Sequence, residues 1–118
     1  MSRWAVILLP EVEAWLMTIA VEQPRLAERV VAAIDLLEAE GPHLGRPLVD
    51  RIAGSRLPHL KELRVATVRA LFAFDPDRRA IVLAIGDKRG RWTDWYSQNI
   101  QIAERRFEQW VATRGQEH

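Results

Sequence analysis

The chain of 118 residues contains no cysteine. That excludes a disulfide framework, a thiolate zinc site and a cysteine nucleophile, and it agrees with a reducing compartment. Nor does any apolar stretch approach the roughly 20 residues that a membrane helix needs. The run Trp4-Ala5-Val6-Ile7-Leu8-Leu9 follows a single Arg3 and stops at Pro10-Glu11 without a small-residue cleavage site. It reads as a first strand rather than a signal peptide, so a cytoplasmic protein with no membrane association is expected. There is no Ser-His-Asp arrangement, no His-Glu-x-x-His and no phosphate-binding P-loop pattern, and the carboxylates are scattered. Repeats and linkers are missing as well.

What is present suffices for one domain over residues 1–118, the size at which single cores are common. Apolar residues make up 48% of the chain, enough for a core without covalent staples. Net charge is only +1, but it is unevenly spread. Residues 1–43 carry three Arg/Lys against seven Asp/Glu, or −4. Residues 44–91 carry eleven against five, or +6, and the remainder three against four, or −1. A basic middle between acidic ends fits a protein that meets a polyanion, and it equally fits the chance drift of a few charges over segments this short.

The apolar spacing gives the elements. After the strand over 4–9, Val12, Trp15, Leu16 and Ile19 fall at helical intervals, with Glu11 and Glu13 where the helix dipole favours acids. Gln23-Pro24 breaks that helix. A second runs over 24–40 with Leu26, Val30, Ala33, Ile34 and Leu37 in one stripe, and Gly41-Pro42 stops it. The two are expected to form a hairpin on the sheet. Residues 41–60 read as a structured loop with a helical turn near 49–52. Three strands follow over 60–65, 69–74 and 80–85, the last two joined by the tight connection Asp75-Pro76-Asp77-Arg78. A polar loop over 86–93 leads to a last helix starting near Trp95 and ending at Gly115. The expected fold is α+β, in the order β-α-α-β-β-β-α, with a small, mostly antiparallel, twisted sheet.

The segment Lys61-Glu62-Leu63-Arg64, followed by Arg69 and Leu71-Phe72-Ala73-Phe74-Asp75-Pro76, resembles the core of RelE/HigB-type toxins of type II toxin–antitoxin systems. Within the RelE/ParE superfamily it resembles the phage Gp49-like branch in particular. Ile85-Gly86-Asp87-Lys88, then Trp92, Trp95-Tyr96 and Ala103-Glu104, is similar to that family's ending. Upstream, Glu40-Gly41-Pro42, Leu44-Gly45-Arg46-Pro47 and Gly54-Ser55 match its loop pattern. The resemblance implies a RelE-like fold and an endoribonuclease, or mRNA interferase, that inhibits translation by cutting mRNA on the ribosome. It implies no cofactor and no metal. The implied partners are mRNA, the ribosome and a cognate antitoxin carrying a DNA-binding helix-turn-helix. ParE-like relatives that poison DNA gyrase are the alternative, as is an inactive relative that only binds its antitoxin.

Metal-free RNA cleavage needs a base for the 2′-hydroxyl proton, cations for the phosphorane and an acid for the departing 5′-oxygen. By motif match Arg64 and Arg69 are the transition-state cations. Flanking the turn 65–68, they are placed to clasp one phosphate, a task that suits guanidinium. Lys88 matches the family's lysine and is assigned an electrostatic role beside Arg89 and Arg91. Tyr96 matches the functional tyrosine, to orient the 2′-hydroxyl, exchange a proton or stack on a base, and Trp92 offers further stacking surface. Lys61, His59, Arg89, Arg91 and Trp92 complete the expected RNA-binding set. Lys61 and Arg64, three positions apart, face opposite ways on a regular strand. The general base is left unassigned, with His59 the only histidine close to the motif. Each residue also has an ordinary explanation: Arg64 pairing with Glu62 on a solvated strand face, Arg78 and Arg79 marking a strand end, Trp95 belonging to the core.

Overall fold

The computed structural model describes residues 4–90 and 92–116. Strand β1 (Ala5–Leu8) leads into helix α1 (Pro10–Glu22), whose first turn holds Pro10, Glu11 and Glu13. Gln23 alone separates it from α2 (Pro24–Glu40). Its N–H donates to Ile19 at 2.7 Å, and its carbonyl accepts from Ala27 at 3.0 Å, so one residue closes one helix and opens the next. Gly41 ends α2 at a φ of 55°. The Trp4 ring lies where its Cβ would be, 2.3 Å away, so only glycine fits.

A fourth antiparallel-type strand was not evident from periodicity. Val49–Arg51 forms β2, where the spacing predicts a helical turn. One helix-like bond survives at its start, from Val49 N–H to the Gly45 carbonyl. Beyond it, residues 49, 50 and 51 pair with 63, 62 and 61 of β3 (Lys61–Val65), which buries Val49. Three residues are too few for a period to register. Then come β4 (Val68–Phe74), β5 (Arg79–Asp87) and α3 (Trp92–Gln116). The order is therefore β-α-α-β-β-β-β-α. The loop expected over 86–93 contracts, because β5 runs on to Asp87 and α3 begins three residues early.

The sheet order is β1-β5-β4-β3-β2. Only β1–β5 is parallel; the other three pairings are antiparallel. The α1–α2 hairpin covers one face over Leu63, Val65, Val68, Ala70, Phe72 and Val82. Helix α3 covers the other over Leu71, Ala73, Ile81, Leu83 and Ala84. A bulge in β5 leaves Leu83 without a partner in β4, and its carbonyl accepts from Arg106 Nη1 at 2.7 Å. Buried Glu104 takes Ser55 Oγ, the Arg56 N–H and Arg56 Nη1, and so ties the loop before β3 to α3. No described helix is long and apolar enough to cross a membrane.

Candidate active site

Alternation on β3 puts Leu63 and Val65 under the hairpin and Glu62 and Arg64 on the α3 face. The two-residue turn Ala66-Thr67, with Ala66 at a φ of 53°, sets Arg64 directly opposite Arg69. Two like charges in that relation repel. Glu62, on the same face, offsets them: its Oε1 is 3.5 Å from Arg69 Nε and its Oε2 is 3.7 Å from Arg64 Nε. Arg69 is held further by Nη1, which donates to the carbonyls of Ala66 (2.7 Å) and Val68 (2.9 Å).

Tyr96 arrives from the first turns of α3. Its hydroxyl donates to Glu62 Oε1 at 2.6 Å and accepts from Arg69 Nε at 3.2 Å. Burial, and then the bond to Glu62, push the phenol up to about 12. Its placement depends on Gly86, where a Cβ would stand 2.6 Å from Trp95 Nε1. Without that side chain the indole settles on β5 and draws the start of α3 onto the sheet. Lys88 follows β5, its N–H bonded to the Thr67 carbonyl at 3.0 Å. The side chain is fully buried, and burial, followed by the neighbouring Arg69, holds its ammonium below the ordinary lysine range.

The cluster thus holds three cations, one carboxylate and one phenol, leaving two positive charges in excess. At its rim Asp50 lies 3.7 Å from Arg64 and 3.2 Å from Arg46. Asp87 lies 3.6 Å from Arg89. For Asp87, burial raises the carboxyl, but the Arg89 N–H, Thr67 and the nearby cations together bring it below the usual range.

Four of the nine expected residues converge here: Arg64, Arg69, Lys88 and Tyr96. Lys61 does not; it lies on the hairpin face, its Nζ 5.5 Å over the Phe74 ring. His59 is exposed in the loop before β3, at the far end of that strand from Arg64. Arg89 is exposed and paired with Asp87. Arg91 lies outside the described residues, and of Trp92 only the backbone, opening α3, is described. Trp95 is core, as expected. The residue that sequence reasoning passed over is Glu62, read as a routine partner of Arg64. The period of two over 60–65 put it on the face of Arg64, but its buried contact with Tyr96 spans 34 positions.

The fold and the site define a class: a small α+β domain whose antiparallel strands carry a cationic cluster beneath its last helix. The chain belongs to the phage-derived protein Gp49-like family, whose pattern matches residues 20–108. It is 53% identical over 111 residues to a Mycobacterium tuberculosis protein provisionally named toxin HigB3, covering 92% of this chain and 95% of that one. A second protein of that organism, provisionally named toxin HigB2, is 53% identical over 90 residues. That match takes in 72% of this chain but only 45% of the relative. Among solved structures, a chain of the YoeB-YefM complex from Staphylococcus aureus superposes with a TM-score of 0.57 at 12% identity. It covers 71% of this chain and 95% of that one, and supports the fold alone.

Proposed function

We propose that this protein is the toxin of a toxin–antitoxin pair and that it cleaves mRNA on the ribosome without a metal. The carrying observation is the convergence of Arg64, Arg69 and Lys88 on Glu62 and Tyr96, with positive charge in excess. The names of the M. tuberculosis relatives support the toxin role and, with it, an antitoxin partner, while the YoeB-YefM likeness supports the fold.

In this reading the scissile phosphate enters past Arg64, whose side chain is 36% exposed where those of Arg69 and Glu62 are each 8%. The two guanidiniums clasp its non-bridging oxygens and stabilise the phosphorane. Glu62, the carboxylate at the centre of the cluster, takes the 2′-hydroxyl proton as the 2′-oxygen attacks phosphorus. Tyr96 commits its proton to Glu62 Oε1 and so orients that carboxylate. Guanidinium does not give up a proton in proteins, whereas Lys88 is already lowered. Lys88 therefore protonates the 5′-oxygen as its bond to phosphorus breaks. The products are a 2′,3′-cyclic phosphate and a free 5′-hydroxyl, and the proton on Glu62 returns to Lys88.

The test is induced expression in a bacterial host with mapping of mRNA 5′ ends. New in-frame cuts are expected for the wild type. Arg69→Ala, Tyr96→Phe and Glu62→Gln should abolish them, with Glu62→Gln slowing cleavage about 10²-fold or more. Growth arrest with intact mRNA and a DNA-damage response would instead indicate a ParE-like gyrase poison. The near-complete burial of Lys88 favours one second reading, a relative that keeps the ion-pair network as structure and only binds its antitoxin. Expression without phenotype, together with co-purification of a helix-turn-helix protein encoded beside this gene, would support that reading.

A further inference from the structure

A second convergence of cations lies on the other face of the sheet. A groove of about 270 Å³ is lined by His43, Arg46, Asp50, Arg51 and Lys61, among others. Arg51 and Lys61 are directly opposite each other on β2 and β3, a like-charge pair that costs stability. At the equivalent pair Arg64 and Arg69, Glu62 offsets the repulsion. Here, among the described residues, neither Arg51 nor Lys61 has a carboxylate partner. Lys61 Nζ lies 5.5 Å over the face of Phe74. The one acid of the groove, Asp50, is taken by Arg46 and Arg64. Arg46, Arg51 and Lys61 are thus three cations to one carboxylate. The groove is also continuous with the active site around the edge strand, through Arg64, Asp50 and Arg46 in successive contacts.

We propose that this groove binds phosphodiesters of RNA and extends the anion track from the active site around β2. The proposal rests on the RNA-cleaving reading above. An uncompensated cross-strand cation pair beside an edge strand is destabilising in the free protein, and a bound phosphate relieves it. The same chemistry would serve a flanking stretch of mRNA or a phosphate of ribosomal RNA.

The experiment compares Tyr96→Phe, which is not expected to cut, with Tyr96→Phe carrying Arg51→Gln and Lys61→Gln, substitutions that keep much of the side-chain stems. Binding to a fluorescent single-stranded oligoribonucleotide and to isolated small ribosomal subunits is followed against salt. Loss of two phosphate contacts lowers the slope of log K against log salt by about 1.4 to 1.8 and weakens binding about tenfold near 0.15 M salt. A loss seen with the oligonucleotide places mRNA in the groove, and a loss confined to the subunits places ribosomal RNA there. The double substitution should also melt no lower than its parent, because a repulsion is removed. Unchanged binding to both RNAs, a parent that binds neither, or a melting point several degrees lower would each overturn the inference. Cleavage by the wild type, measured separately, tells whether the underlying reading fails with it.

Discussion

At the scale of the residue, the site sets stability against function. Lys88 is buried near Arg69 and Arg64 as well as Glu62 and Asp87; burial and the arginines outweigh the carboxylates, so its lowered ammonium means that the folded state disfavours the charge. Where the folded value lies below the unfolded one of about 10.4, the unfolded chain binds more protons, so stability rises with pH through that window. Lys88→Met should therefore melt at least as high as the wild type at neutral pH, lose that alkaline gain, and cut no RNA. Denaturant unfolding between pH 7 and 10 reads all but the last. A marked drop in its melting point would assign the ammonium to the scaffold. Tyr96 has the opposite sign: its raised phenol contributes stability fully below about pH 10, lost as pH rises through its folded value near 12. Tyr96→Phe removes one donor to Glu62 and should cost about 1 kcal/mol, far less than its effect on cleavage.

At the scale of the element, α3 is the part on which the site depends most. It is seated at one end by Trp95 against Gly86. At the other, Trp110 Nε1 donates to Asp75 Oδ2 at 3.0 Å. Gly86→Ala intrudes on the indole and should cost about 1–3 kcal/mol. Because Tyr96 follows Trp95, cleavage should fall further than stability does, which paired activity and melting measurements would show. Asp75 binds the Asp77 and Arg79 N–H groups, Arg79 Nε and Trp110, which fixes the β4–β5 turn to the helix. Burial alone would raise its carboxyl, but these donors together bring it below the usual range. Its contribution is present above about pH 4 and is lost as pH falls through the lowered folded value. Asp75→Asn should lower stability by about 1–3 kcal/mol at pH 7 and flatten the acid limb, as urea melts from pH 5 to 3 would reveal.

At the scale of the molecule, two cationic clusters on opposite faces meet at one sheet edge, while the net charge is only +1. Cleavage through these groups should leave 2′,3′-cyclic phosphate and 5′-hydroxyl ends; 5′-phosphate and 3′-hydroxyl ends, the products of a metal-activated water, would sink the metal-free reading. The sequence by itself determined the helices, three of the four later strands and the two faces of the sheet. Local periodicity and the breakers Pro24 and Gly41 carry that information within a few residues. It also named Arg64, Arg69, Lys88 and Tyr96, through motif and through the turn that places the arginines opposite each other. Strand β2 was decided by pairing with β3, since three residues hold no period of their own. The spacing of three had already turned Lys61 away from Arg64, while burying Lys88 and bringing Glu62 under Tyr96 were left to the tertiary structure alone. Those outcomes depend on register and on how closely α3 can approach Gly86, and neither is written in the spacing of any one segment.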